Sequence, residues 1–277
     1  MLQQYFKQAW RLLKENPVLS AISIIGTALA ICMIMVMVMS HQVKNAPYPP
    51  ETNRDRMLYV KWMSSREKGS PNSGSSNGPM SYAFAKACFK TLKTAEAVAI
   101  VSPFTPSAIA SIPGQIFAES YDKMLTDEDF WRVFDFSFID GKPYTKEDVD
   151  AGLRKVVISE KTALKTFGTT AVSGQRILID YTEFIVNGVV KDVSPVATAA
   201  YSQIWAPITT TVLPDGGEEG IQGVCRVYIL AKSKKDFSAI KEEAEVLRKR
   251  YNDATTTYEA FYRKQPDTHF VYIHRKW

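Results

Sequence analysis

The chain has 277 residues, 45% of them hydrophobic and 23% charged, a balance that fits one large globular domain or two small ones and excludes a disordered or fibrous protein. Its net charge of +5 is unevenly spread: Lys7, Arg11, Lys14 and Lys44 against Glu15 give the first 44 residues +3 and leave only +2 for the rest. Nucleic-acid binding needs positive charge clustered on one face, so no nucleic-acid partner is expected.

In residues 1–16, Leu2, Phe6, Trp10 and Leu13 recur at steps of three and four, while Lys7, Arg11 and Lys14 fall on other faces. That spacing predicts a helix lying in the cytoplasmic headgroup layer, with membrane lipid as its partner. No formal charge occurs over 16–40, and 19–39 is almost wholly apolar. At about 1.5 Å per residue this run crosses the roughly 30 Å of a bilayer core. A transmembrane helix is predicted over 17–41, with Asn16 as N-cap and Pro17 at its first position. Ser23, Gly26, Thr27 and Ala30 give it a small-residue face suited to a second helix. The cationic flank on the N-terminal side places that end in the cytoplasm and exports 42–277. A cleaved signal peptide is disfavoured, because its apolar core runs only about 7 to 15 residues before a small-residue cleavage site.

In the exported part, 57–62 reads as a strand, 66–79 as a mobile loop of glycine, serine, asparagine and charge, and 81–92 as a helix with Tyr82, Ala85, Phe89 and Leu92 on one face. Strands are predicted over 97–102, 107–112 and 115–121. Thr126 and Asp129 read as a capping box before an aromatic helix, and Thr145 with Asp148 repeats the pattern. Further strands are expected at 155–158, 175–180, 183–190, 202–208, 224–231 and 268–273, with a tight turn at 180–182. Ser159 can start a helix that Gly168 ends, and Ser233 with Asp236 can start a long helix over 234–251.

Chemistry is mostly missing. No phosphate-cradling G-x-x-x-x-G-K-[ST] run occurs, so no cofactor is expected here and any ATP belongs to a partner. The histidines, His41, His269 and His274, lack zinc-ligand spacing. Gly74, Ser76 and Gly78 satisfy G-x-S-x-G, but inside a loop rather than at a strand-to-helix elbow, so Ser76 reads as solvent-exposed. Asp127, Glu128 and Asp129 read as first-turn helix residues rather than catalytic acids. Cys32 lies in the span; Cys88 and Cys225 could pair in an oxidising compartment, although two buried thiols are the preferred reading. No catalytic, cofactor-binding or metal residue is assigned, and no enzyme activity is expected.

Taken in order, the basic start, KENPVLSAISIIGTALAICMIM, TDEDFWRVFDFSFIDGKPYTKEDV (126–149), VVISEKTALKTFG (156–168), GQRILID and FIVNGVVKDV (184–193) resemble a MacB-type ABC transporter permease over essentially the whole chain. The resemblance implies an α+β architecture, with the interfacial helix at 1–16, one transmembrane helix at 17–41 and a two-lobed mixed α/β periplasmic core domain over 42–277. It implies a bacterial inner-membrane protein that works with an ATP-binding subunit, as a homodimer or paired permease, with a periplasmic adaptor as a further candidate partner. It also implies transmission of ATP-driven motion to the periplasmic domain for export, efflux or lipoprotein release. Permeases of this type continue into an FtsX-like block of three more spanning helices, and the sequence stops at Trp277 where that block should begin. The expectation is therefore a fragment or truncated product that does not transport alone. The competing readings are a membrane-tethered sensory or binding module and an anchored hydrolase using Ser76.

Overall fold

The computed structural model describes residues 2–69, 74–104, 106–115, 118–213 and 220–275. Residues 70–73 of the expected loop, 116–117 of the strand expected over 115–121, and the last two residues lie outside that set. The chain divides into two units, 1–46 and 47–277, each with its own internal contacts.

The first unit is two helices, α1 (Leu2–Glu15) and α2 (Pro17–Asn45). Helix α2 is 29 residues long, about 43 Å at helical rise, and continues four residues past the expected end at His41. It has no buried residue and is long and apolar enough to cross a membrane. Pro17 sets its start, because proline lacks the donor that a first-turn position would leave unpaired; the Asn16 side chain makes no cap bond. Ser23 and Thr27 donate to the carbonyls of Leu19 and Ser23 at 2.9 and 2.8 Å, so both hydroxyls are satisfied within the helix.

The second unit, the body, is the expected mixture of helices and strands. In chain order it contains β1 (Met57–Val60), β2 (Met63–Glu67), β3 (Ser76–Gly78), α3 (Tyr82–Ala85), β4 (Ala97–Ser102), β5 (Ala108–Ser111), β6 (Glu119–Tyr121), β7 (Lys123–Thr126), α4 (Phe130–Val133), β8 (Phe138–Gly141), α5 (Lys146–Asp150), β9 (Lys155–Ser159), α6 (Glu160–Phe167), β10 (Arg176–Ile179) and β11 (Thr182–Val190). It continues with β12 (Ile204–Pro207), β13 (Arg226–Leu230), α7 (Phe237–Ala254), β14 (Tyr258–Phe261), β15 (Asp267–Thr268) and α8 (His269–His274).

One large mixed sheet runs in the order β15-β1-β13-β4-β7-β12-β9-β11-β10-β5-β6, and a small one in the order β14-β2-β3. Strands β1 and β4 are buried along their whole length, as apolar strands covered on both faces must be. Nine-residue β11 pairs along one edge with β9 in parallel and along the other with β10 through its first residues and β8 through its last. The β10–β11 turn places Asp180 and Tyr181 at φ 50° and 63°, the left-handed pair that a two-residue hairpin turn demands.

Local cap chemistry explains most helix starts. Ser159 accepts from the Thr162 amide and Gly168 ends α6 at φ 76°; Thr145 with Asp148, and Ser233 with Asp236, form full capping boxes. The structure revises three expectations, besides the loop expected over 66–79, of which Ser76–Gly78 form β3. Thr126 is not a cap: it lies in β7, its hydroxyl bonds Tyr144, and Asp127 instead accepts from the Phe130 amide at 3.2 Å. The helix expected over 81–92 is four residues of α3 followed by a π-helical turn, Lys86–Lys90, whose wider winding lets adjacent Cys88 and Phe89 both turn inward. The strand expected over 268–273 is helix α8, in which His269 and Tyr272, three apart, are buried while Phe270 and Val271 face out. Tyr272 stacks on Tyr59 with ring centroids 4.6 Å apart, and that tertiary contact outweighs the strand-like composition.

The β8–β11 approach depends on glycine. At Gly141 (φ 64°) an added Cβ would lie 2.3 Å from the Asn187 carbonyl oxygen, whereas at Gly168 (φ 76°) it would meet open space. Gly168→Ala is expected to cost about 1–2 kcal/mol from backbone conformation alone. Gly141→Ala should exceed that by about another 1–3 kcal/mol from the clash. Urea denaturation of the two variants checks the order; equal losses would contradict it.

Candidate functional site

Ser76, the one formal catalytic match, is the first residue of β3, on a sheet edge rather than an elbow. Its exposed hydroxyl donates to Gln222 Oε1 at 3.1 Å, and it has no histidine or acid partner among the described residues. Cys88 and Cys225 are buried and not disulfide-bonded, and burial pushes the Cys88 thiol up to about 11, far from a reactive thiolate. Among the described residues no group of three histidine, cysteine or acidic side chains is placed to hold a metal ion.

The acidic run 127–129 has a structural task that the sequence did not reveal. All three carboxylates converge on Lys90 at the end of the π-helical turn, with Nζ–O distances of 2.8, 3.1 and 2.8 Å to Asp127, Glu128 and Asp129. Asp127 also accepts the Ile100 amide at 2.8 Å, so one buried carboxylate ties β4, α4 and the π turn together. Burial works against the Lys90 charge, but the carboxylates outweigh it, Asp127 foremost, and hold the ammonium above its usual value. Burial likewise pushes Asp127 up to about 7, against the opposing pull of Lys90 and the Ile100 amide.

A second buried charge pair sits near the start of the body. Glu51 is fully buried and Arg54 is 3% exposed. Glu51 Oε2 receives Arg54 Nε at 2.6 Å, while Oε1 receives the Ala199 and Ala200 amides at 2.9 and 3.2 Å. The Arg54 guanidinium lies 4.3 Å from the Tyr48 ring centre and donates to the Val196 carbonyl at 3.3 Å. Neighbouring groups fasten the same stretch elsewhere: the Asp135 amide donates to the Pro50 carbonyl at 2.8 Å, and Arg56 reaches the Ala231 carbonyl at 2.9 Å and Glu96 at 2.5 Å. Residues 48–56 are thus bonded to several separate parts of the body. Nothing in the run ETNRDR after a proline pair announces this; the Glu51 and Arg54 spacing of three was the one available signal.

The polar groups of the Glu51 cluster are taken up by one another and by backbone, and Lys90 is taken up by its three carboxylates. The sequence matches the MacB-like periplasmic core domain over residues 20–247, from within α2 to within α7. The chain belongs to the MacB-like periplasmic core domain family. Among solved structures, the periplasmic region of MacB from Actinobacillus actinomycetemcomitans aligns at TM-score 0.53 and 16% identity, over 80% of this chain and 94% of its own. A domain of a permease-type protein from Porphyromonas gingivalis aligns at TM-score 0.54 and 14% identity, over 81% and 98%. At such identities the likeness is one of fold. No curated protein matches the chain. MacB-like periplasmic domains are parts of ABC-transporter permeases, which work with ATP-binding subunits.

Two outcomes follow for this MacB-like domain. Arg54→Met strands the Glu51 carboxylate in the interior and should cost about 3–5 kcal/mol, while Glu51→Gln combined with Arg54→Met should cost less than the two single losses summed. A double-mutant cycle by urea denaturation reads this, and additive losses would rule out the pairing. For Asp127, a folded pKa raised above the unfolded one means that its contribution is full below about pH 4 and is lost as pH rises through about 7. Asp127→Asn should therefore flatten the pH dependence of the melting temperature between those values; an unchanged slope would contradict the assignment.

Proposed function

We propose that this chain is the N-terminal part of a permease of the MacB/FtsX type. In this reading α2 crosses the bacterial inner membrane once, with the basic N-terminus cytoplasmic and the body periplasmic. The bilayer supplies the apolar surroundings that 29 residues without a buried side chain require. The charge bias toward Lys7, Arg11 and Lys14 sets the direction. ATP is bound and hydrolysed by a separate subunit, and this chain contributes no cofactor site and no catalysis of its own.

The observation that carries the mechanical part is the joint at Glu51 and Arg54. A helix moved by an ATPase can move a distant domain only if the connection resists extension. In this reading residues 48–56 anchor the body's end of that connection, because they are hydrogen-bonded to stretches up to 175 positions away. Motion of α2 is then passed to the sheet through β1 and its neighbours as a rigid-body displacement, in the service of export, efflux or lipoprotein release. Pairing of two such chains, through the small-residue face of α2, gives the motion something to work against.

Insertion of six glycine and serine residues after Ala46 tests this in the membrane-embedded complex with its ATPase. The insertion should leave the melting of the body unchanged, because no body contact is altered. It should abolish the nucleotide-dependent change in distance between spin labels placed at exposed Val212 on paired copies. A preserved distance change would show that motion does not pass through this joint.

A further inference from the structure

A cavity of about 370 Å³ opens between β2, β14, α7 and the turn after β14. Its charged lining is Arg66, Arg248 and Arg263 against Glu245 alone, a local charge of +2. Each guanidinium is held differently. Arg248 is engaged by Glu245 at 2.7 and 2.8 Å, gives its third nitrogen to the Ala260 carbonyl at 2.6 Å and lies 5.5 Å from the Phe261 ring centre, so it contributes charge and orientation rather than a free fork. Arg66 lies 4.9 Å from the same ring and gives one terminal nitrogen to Glu259 at 2.7 Å, while its Nε has no partner among the described residues. Arg263 has no acidic partner among the described residues; it donates to the hydroxyls of Ser64 and Ser75, the latter at 3.0 Å. Its charge is therefore met directly by hydroxyls alone.

The turn that presents Arg263 is unusual. Arg263 and Lys264 both adopt left-handed backbone, at φ 48° and 66°, a region that side chains bearing a Cβ seldom enter. Both ends of the turn are fixed: Tyr262 is buried, and Gln265 accepts from the Lys61 amide at 2.7 Å and donates to the Trp62 carbonyl at 2.6 Å. The surroundings thus hold Arg263 in a conformation it would not choose, at the rim of a concave, positively charged space of small-ligand size.

We propose that this cavity binds the phosphate of a phosphomonoester. Arginine forks match phosphate oxygens in geometry, two of the guanidiniums lie over Phe261, and the lining charge of +2, or +1 once Glu259 on Arg66 is counted, attracts a phosphate that carries about −1.5 to −2 near neutral pH. The phosphate belongs either to a free small molecule or to a lipid headgroup. The inference goes beyond the transporter reading and does not depend on it, since the cavity lies wholly in the body.

Calorimetric titration of the full chain in uncharged detergent, with phenyl phosphate in one arm and short-chain dihexanoyl phosphatidic acid in the other, tests it. Saturable binding of one probe per chain is expected. Arg263→Gln should weaken it by about tenfold or more, and Ser75→Glu, an exposed position where a carboxylate would face Arg263, should weaken it similarly. Arg176→Gln, on the exposed side of β10, should leave it unchanged. Binding confined to phenyl phosphate identifies a free phosphomonoester, and binding confined to phosphatidic acid identifies a lipid; either supports the site. The surface substitution Ser75→Glu keeps the test decisive if Arg263→Gln fails to fold. Failure of both probes to bind, or binding that Ser75→Glu leaves intact, would overturn the proposal without touching the joint at Arg54.

Discussion

Removing a carboxylate from water costs several kcal/mol unless its lone pairs are met, and the Glu51 carboxylate is met by one guanidinium and two backbone amides. That constraint organises the start of the body. Arg54 must stay beside Glu51, Tyr48 must cover Arg54, and residues 196–200 must present their amides and carbonyl inward. Small side chains at Ala197, Ala199 and Ala200, all buried, let that stretch come close. Pro50, Glu51 and Arg54 consequently belong to the interior, while Pro49 and Asp55 stay exposed along the same stretch.

The second charged cluster plays a similar part nearer the surface, with only Asp127 fully buried. Lys90 with Asp127, Glu128 and Asp129 fixes the π-helical turn against β4 and α4, and beside it Phe130, Trp131, Phe134, Phe136 and Trp205 pack with ring centroids 4.8 to 6.3 Å apart. Edge-on and tilted aromatic contacts of this kind restrict orientation as well as burying area. The body is thereby cross-linked by hydrogen bonds and ion pairs at both clusters.

Much of this fold was legible in the sequence where local chemistry decides structure. The apolar run of α2, the capping boxes before α5 and α7, the Ser159 to Gly168 helix and the β10–β11 hairpin all carry their instructions within a few residues. Elements whose reason lies elsewhere were not legible. Short β2, β3, β8 and β14 are held by backbone pairing rather than by a side-chain pattern, and α8 is helical because Tyr272 must reach Tyr59. The joint was hidden for the same reason: Glu51 and Arg54 look like surface residues until Ala199 and Ala200, 148 and 149 positions after Glu51, supply their amides. Arg66, Arg248 and Arg263 likewise meet only after β2, α7 and β14 have packed.

The central claim is that the stretch 48–56 is as firmly part of the body as its central strands. Site-resolved hydrogen exchange on the full chain tests it at the Ala199 amide, which donates to Glu51 at 2.9 Å. If the claim holds, that amide exchanges as slowly as the amides of β4 and β13, through global unfolding only. Exchange at the rate of exposed loops would show that the joint opens freely and cannot carry a load.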